Sequence, residues 1–116
     1  MQYLLLIYEA ENARADHTEA QQKEMLERYF AFNDYLKSKD AFIAGDALQS
    51  VATATSVRKR EGKVVTTDGP FAETKEQLGG YYLVEAKDLD EAIEFASRIP
   101  AADLGTVEVR PLMVFD

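Results

Sequence analysis

The residues best suited to chemistry lie in one polar segment, residues 67–80, which reads TDGPFAETKEQLGG. Gly69 tolerates unusual backbone angles and Pro70 fixes its own φ, so the chain should turn sharply and in a defined way. Carboxylates on such a shaped loop could act as acids or bases, or could position a ligand. The catalytic candidates in this loop are Asp68, Glu73 and Glu76.

A second group of side chains could bind a ligand without reacting with it. Arg58 and Arg110 fall on predicted strands, where an arginine pointing into a cleft could hold an anionic ligand through two hydrogen bonds. Phe71 is expected to anchor the loop in the core. The predicted ligand-binding residues are Arg58, Asp68, Phe71, Glu73, Lys75 and Arg110. A purely architectural role for the turn is an equal alternative.

His17 is the only histidine, and the chain has no cysteine. Histidine is the side chain most often used as a general base near neutral pH, so His17 is a further catalytic candidate. Its place beside Asp16, just before a predicted helix, is more typical of an exposed helix entry. One histidine without cysteine cannot supply the ligands of a typical zinc site, and no EF-hand spacing occurs. We therefore predict no metal and no cofactor, and a Mg²⁺ or Ca²⁺ site built from carboxylates alone is the alternative that the composition leaves open.

The six tyrosines form a third group of candidates, and the positions of most of them are typical of core residues. A phenol that lined a cleft could donate a proton or a hydrogen bond. The residues concerned are Tyr3, Tyr8, Tyr29, Tyr35, Tyr81 and Tyr82.

Charge is distributed unevenly along the chain. The net charge of −8 argues against general binding to nucleic acid or to an anionic membrane. Four basic residues and one acidic residue give residues 58–63 a charge of +3, which leaves −11 for the remainder. The simplest interpretation is a solvated hairpin tip. An anion-binding edge or a dimer-pairing edge is the alternative.

The 116 residues predict a single domain over residues 1–116. The apolar run at residues 2–8 lacks a basic flank and is too short for a signal peptide. No apolar run reaches the length of a bilayer span, so no membrane association is expected. We predict a cytoplasmic protein without disulfides.

Hydrophobic periodicity and capping signals predict an alternation of strands and helices. The first helix opens with the capping box Thr18–Gln21 and buries Met25, Tyr29, Phe32 and Leu36, with Leu26 and Phe30 widening the stripe. The second helix buries Leu89, Ala92, Ile93, Ala96 and Ile99. The predicted elements are a strand over 2–8, a helix over 18–39, a strand over 41–49 interrupted at Gly45-Asp46, a hairpin over 53–60 and 63–67, a strand over 81–85, a helix from Asp88 to Pro100, and a strand over 107–115.

This order predicts an α+β protein with the ferredoxin-like split β-α-β fold and an inserted β-hairpin. Two helices should cover one face of an antiparallel sheet. Residues 3–8 are apolar on both sides, so the other face also needs a cover. The simplest structure that could pack on this second face is the same sheet of a second copy of the chain, which gives a homodimer with a dimeric α+β barrel.

Residues 68–82 resemble the characteristic segment of the DGPF, or YCII-related (YciI-like), domain family. Further similarity lies at residues 3–8, 45–48, 52–55, 89–92 and 107–111, so that the resemblance spans the whole chain. It implies a ferredoxin-like fold in the dimeric α+β barrel superfamily.

The resemblance implies less about activity. One branch of the family has a His–Asp pair in a cleft and a proposed enzymatic role, and other members are associated with extracytoplasmic-function sigma factors. Where relatives have a histidine in the first helix, this chain has Tyr29 or Arg28, and Asp34 is not clearly equivalent to the aspartate. The His–Asp mechanism is therefore not expected here.

Three functional hypotheses follow. The first is a protein or enzyme that binds a small, possibly anionic, molecule in a cleft near residues 67–80. The second is a regulatory or interaction module linked to a sigma factor. The third is a cofactor-free oxygenase or isomerase, which rests on fold analogy alone. The sequence identifies no substrate and no reaction type.

Overall fold

Side-chain alternation in the first strand determines how the sheet is covered. In the computed structural model, which describes residues 1–115, strand β1 (Gln2–Glu9) buries Tyr3, Leu5 and Ile7 on one face. The opposite face carries Leu4, Leu6 and Tyr8, which are only half-buried. Both faces of β1 are thus apolar, as predicted, but one chain covers only one of them.

The elements after β1 are α1 (Glu19–Ser38), β2 (Phe42–Ala47), β3 (Thr55–Arg60), β4 (Lys63–Asp68), β5 (Gln77–Glu85), α2 (Leu89–Ser97) and β6 (Thr106–Pro111), with short 3-10 helices at Val51–Thr53 and Pro100–Asp103. The chain thus folds as β1-α1-β2, a hairpin, and β5-α2-β6. The main sheet is antiparallel with the order β2–β5–β1–β6, and the hairpin β3–β4 is a separate two-stranded sheet. This is the predicted ferredoxin-like α+β fold with an inserted hairpin.

Local capping signals define where both helices begin. Thr18 Oγ1 accepts a hydrogen bond from the Gln21 amide at 3.1 Å, and Gln21 Oε1 accepts one from the Thr18 amide at 2.8 Å. Asp88 caps α2 by accepting from the Glu91 amide at 2.9 Å. The predicted capping box of α1 is therefore confirmed. Within residues 1–115, no helix combines the length and the apolarity that crossing a membrane requires.

The predicted apolar stripe of α1 is wrong at two positions, because Leu26 and Phe30 are mostly exposed. Only Phe32 and Leu36, in the second half of the helix, are fully buried. The first half of α1 stands off the sheet, and Leu26 lines the space left beneath it. Periodicity alone cannot show that a helix contacts its sheet over only half of its length.

The second helix departs from prediction in a similar way. Leu89 and Ile93 are half-exposed, whereas Phe95, which was not predicted, is fully buried. The ring of Phe95 packs edge-on against that of Tyr35 with 6.0 Å between centroids. The helix ends at Ser97, before Pro100, so the buried Ile99 lies beyond its end.

Three strand predictions are also corrected. Gly45-Asp46 does not interrupt the second strand but lies inside β2, paired with β5. β5 begins at Gln77, four residues before the predicted start. The last strand ends at Pro111 instead of continuing to residue 115, and residues 113–115 are highly exposed.

The molecule is flat and has a large surface for its mass. Its principal extents are 48 × 48 × 18 Å, and its radius of gyration is 16.2 Å, against about 13 Å for a compact domain of this length. Its exposed area is 8369 Å², about 2,000 Å² more than a compact monomer of 13.0 kDa exposes. The exposed hairpin and the uncovered sheet face account for this shape.

Candidate functional site

A cavity of about 560 Å³ lies between the first half of α1 and one end of the sheet. We call it the helix–sheet cavity. Its apolar walls come from Ile7 on β1, from Met25 and Leu26 on α1, and from Leu48 after β2. Its polar lining includes Glu9, Arg14, Gln22, Tyr29, Asn33 and Asp46.

Three glycines lie on the sheet side of this cavity. Gly45, Gly79 and Gly80 all line it. A Cβ added at Gly45 would lie 2.6 Å from Cδ1 of the Tyr82 ring, so the ring occupies the space that a side chain would need. Glycine at position 45 thus lets the backbone of β2 lie close to the Tyr82 ring, which explains why a glycine occurs within a paired strand.

The segment after β1 carries Arg14 to the cavity. Turns close through hydrogen bonds from the Ala13 amide to the Ala10 carbonyl and from the His17 amide to the Arg14 carbonyl. Arg14 Nη2 donates to Glu9 Oε1 at 2.6 Å, and the guanidinium also lies within hydrogen-bonding reach of the Tyr29 phenol. The Nε of Arg14 is buried without a partner among residues 1–115. A guanidinium has five N–H donors, and the Arg14 side chain is 36% exposed, so donors other than Nε are accessible to solvent or to a ligand.

Two phenols and an amide form the rest of the polar lining. Tyr82 Oη donates to Asn33 Oδ1 at 2.7 Å, which leaves the amide nitrogen of Asn33 as the donor. Burial raises the pKa of Tyr29, an effect that the Arg14 guanidinium opposes and the Glu9 carboxylate reinforces. Burial, together with the neighbouring Tyr29, raises the pKa of Tyr82 to about 12. Both phenols are therefore protonated at neutral pH and can donate hydrogen bonds.

The raised pKa of Tyr82 predicts a loss of stability in alkali. Between about pH 10 and pH 12 the unfolded chain ionises this tyrosine while the folded chain keeps it protonated, so the free energy of unfolding should fall as pH rises. Urea unfolding at several pH values in this window should give a shallower decline for Tyr82→Phe than for the wild type. Parallel declines in the two proteins would contradict the assignment.

A second cavity, of about 470 Å³, lies beneath the Asp68–Phe71 turn, and we call it the turn cavity. Pro70 and Phe71 line one side, and Tyr8, Val51 and Leu78 line the other. The turn is held by hydrogen bonds from the Gly69 amide to the Ala54 carbonyl at 2.7 Å and from Ser56 Oγ to the Gly69 carbonyl at 2.8 Å. Gly69 has a φ of 97°, which is the reason for a glycine there.

The catalytic candidates of the 67–80 loop lie outside the lining of both cavities. Asp68 ends β4 and is exposed, and Glu73 is exposed in the following bend. Glu76 is half-buried and accepts a hydrogen bond from Thr106 Oγ1 at 2.8 Å, a contact that joins the loop to β6. His17 is half-buried, and its Nδ1 has no partner among residues 1–115.

The predicted ligand-binding residues are dispersed. Arg58 lies on the exposed hairpin, Lys75 is exposed, and Arg110 forms an ion pair with Glu108 on β6. Of the predicted ligand-binding set, Phe71 alone lines a cavity. Its expected role as a core anchor is wrong, because its side chain is 81% exposed.

Sequence reasoning missed Arg14 as a site residue and left Tyr29 as one of two alternatives. Arg14 lies in a polar segment without periodicity, so nothing local marks it. Tyr29 lines the cavity, whereas Arg28 forms an exposed ion pair with Asp103 at 2.9 Å. Within residues 1–115, no group of three or more histidine, aspartate or glutamate side chains is arranged as a metal site.

The chain is similar to known proteins over its whole length. The family model of the YCII-related domain matches residues 1–116. An uncharacterized protein of Rhizobium meliloti (strain 1021) is 38% identical over 121 residues, which cover 99% of this chain and 94% of the relative.

Proposed function

The chain belongs to the YCII-related domain family, and on that premise we propose that it binds a small organic molecule in the helix–sheet cavity. The observation that carries this proposal is the convergence of the Arg14 guanidinium and the Tyr29 phenol on a space with apolar walls. The volume of about 560 Å³ lies within the range of roughly 300 to 1,000 Å³ that is typical of small-molecule sites.

The composition of the lining favours a binding site over a packing defect. A void left by imperfect packing is normally small and apolar. Here the void is large, and it is lined by a charged side chain that is 36% exposed and has a buried, unpartnered Nε. A buried donor without a partner costs about 1 to 3 kcal/mol, and a small shift of the guanidinium towards a bound ligand would recover part of that cost.

Mapping of fragment binding by NMR tests this proposal. A panel of small uncharged and anionic aromatic compounds should produce saturable chemical-shift changes at the amides of Gly79, Gly80 and Ala47, which line the cavity. The amides of Val64 and Val65 on the exposed hairpin serve as an internal control. If every compound left the cavity amides unmoved at millimolar concentration, the proposed function would be wrong.

We further propose that the chain forms a homodimer through the open face of the sheet. The exposed area of one chain is about 2,000 Å² larger than that of a compact monomer, which is more than the roughly 800 Å² that each partner buries in a standard interface. Leu4, Leu6 and Leu83 supply an apolar centre to that face.

Sedimentation equilibrium at micromolar concentration should therefore give about twice the chain mass of 13.0 kDa. The variant Leu6→Glu places a charge at the centre of the open face and should shift the protein towards monomer. An unchanged mass for this variant, or a monomeric wild type, would exclude this interface.

A further inference from the structure

We propose that the ligand of the helix–sheet cavity is an uncharged, largely apolar molecule with a carbonyl oxygen that accepts hydrogen bonds from Arg14 and Tyr29. This inference rests on the proposed function and names the chemical class of its ligand. It excludes the anionic ligand that the sequence left open, and the reason lies in the surroundings of Arg14.

Four polar side chains of the lining can donate hydrogen bonds (Arg14, Gln22, Tyr29 and Asn33), and the Glu9 carboxylate is already paired with Arg14. Arg14 uses one donor on Glu9, and the Tyr29 phenol, like any tyrosine with an ordinary or raised pKa, is protonated at neutral pH. Asn33 has its carbonyl oxygen occupied by Tyr82, so its amide nitrogen is left to donate. A ligand that satisfies this lining must supply acceptor oxygens, and a carbonyl group offers two lone pairs without carrying a donor.

The charges around the cavity oppose an anion. The Glu9 carboxylate, 2.6 Å from Arg14 Nη2, offsets the charge of the guanidinium. The Asp46 carboxylate accepts a hydrogen bond from Tyr81 on the opposite face of the sheet, so the local charge balance rests on Arg14 and Glu9, and the whole chain carries −8. A carboxylate ligand would lose its hydration and meet no net positive charge, whereas a carbonyl loses far less hydration.

The walls specify the rest of the ligand. Ile7, Met25 and Leu26 present hydrocarbon and thioether surface on the β1 and α1 sides. Burial of apolar ligand surface against such walls contributes roughly 25 cal/mol per Å². A flat ring system with one carbonyl group fits this combination of apolar walls and clustered donors.

Three matched compounds test the inference by titration of the labelled protein. Coumarin is uncharged and has a lactone carbonyl, 2H-chromene lacks that carbonyl, and coumarin-3-carboxylate adds a negative charge. Coumarin should bind at least about tenfold more tightly than 2H-chromene, which is the effect of about 1.4 kcal/mol from hydrogen bonds to a charged donor. It should also bind more tightly than coumarin-3-carboxylate and should move the Nε–H cross-peak of Arg14.

A conservative variant distinguishes the contribution of the guanidinium N–H donors of Arg14 from that of its positive charge. Arg14→Lys keeps a cation for Glu9 but removes the guanidinium, so it should weaken coumarin binding about tenfold and leave 2H-chromene binding unchanged. Arg60→Lys, at the exposed hairpin tip, is the matched control and should change neither. If the Arg14→Lys variant is poorly folded, the shift of the Arg14 Nε–H cross-peak in the wild-type protein still tests the inference.

Each other outcome counts against a distinct claim. Tighter binding of coumarin-3-carboxylate would identify an anion site and overturn the inference while supporting the proposed function. Equal binding of coumarin and 2H-chromene, with an unmoved Arg14 cross-peak, would exclude the hydrogen-bonded carbonyl. Failure of all three compounds to bind in the cavity would count against both the inference and the proposed function.

Discussion

Replacement of Phe32 by alanine is expected to lower the free energy of unfolding by about 3 to 5 kcal/mol. Phe32 is 4% exposed and lies in the core between α1 and the sheet. Its ring packs edge-on against Tyr82 with 5.0 Å between centroids, so truncation removes buried surface and also leaves a void beside a residue that lines the helix–sheet cavity. Loss of this support should loosen the cavity before the whole domain unfolds.

Phe30 provides the matched control on the same helix. Its side chain is 58% exposed, so Phe30→Ala should change the free energy of unfolding by less than about 1 kcal/mol. Urea unfolding followed by circular dichroism at one fixed protein concentration gives both values. Equal destabilisation by the two substitutions would mean that α1 is rotated relative to the sheet.

Replacement of Gly105 by alanine is the second large effect that we expect. Gly105 precedes β6, and an added Cβ would overlap the carbonyl oxygen of Tyr8 on β1. The overlapping atom belongs to the backbone, which cannot rotate away as a side chain can. The free energy of unfolding should therefore fall by about 3 kcal/mol, the upper part of the usual range for overpacking. The start of β6 would separate from β1, where Thr106 pairs with Tyr8.

The Gly105→Ala substitution should also disturb the helix–sheet cavity, because Glu9, which follows Tyr8, accepts the hydrogen bond of Arg14. Gly79→Ala is the control. Its Cβ would come no closer than 4.0 Å to another residue, so its stability should change by less than about 1 kcal/mol. Thermal unfolding measured by calorimetry separates the two variants. A Gly105→Ala protein as stable as Gly79→Ala would show that β1 and the segment before β6 are not in close contact.

The fold is largely predictable from the sequence because its signals are local. Thr18 and Gln21 define the start of α1 through their own hydrogen bonds, without help from distant residues. The order of strands and helices then leaves few arrangements of the sheet, and the split β-α-β topology is one of them. Element ends were less predictable, as β6 shows by ending at Pro111.

The candidate site is not predictable in the same way because it depends on how elements pack. Leu26 obeys the helical period of the buried face, yet it borders a cavity because α1 contacts the sheet over only half of its length. Arg14 belongs to an irregular segment and reaches the cavity through two turns. Phe71 is of a residue type that is usually buried, but it is exposed because the turn that carries it lies at the surface.

Intermolecular nuclear Overhauser effects between bound coumarin and the protein test the central claim most directly. Binding in the helix–sheet cavity predicts cross-peaks from coumarin protons to the methyl groups of Met25 and Ile7. Cross-peaks instead to Leu4 and Leu83 on the open face, or to Val51 beneath the turn, would place the ligand elsewhere and contradict the proposed site.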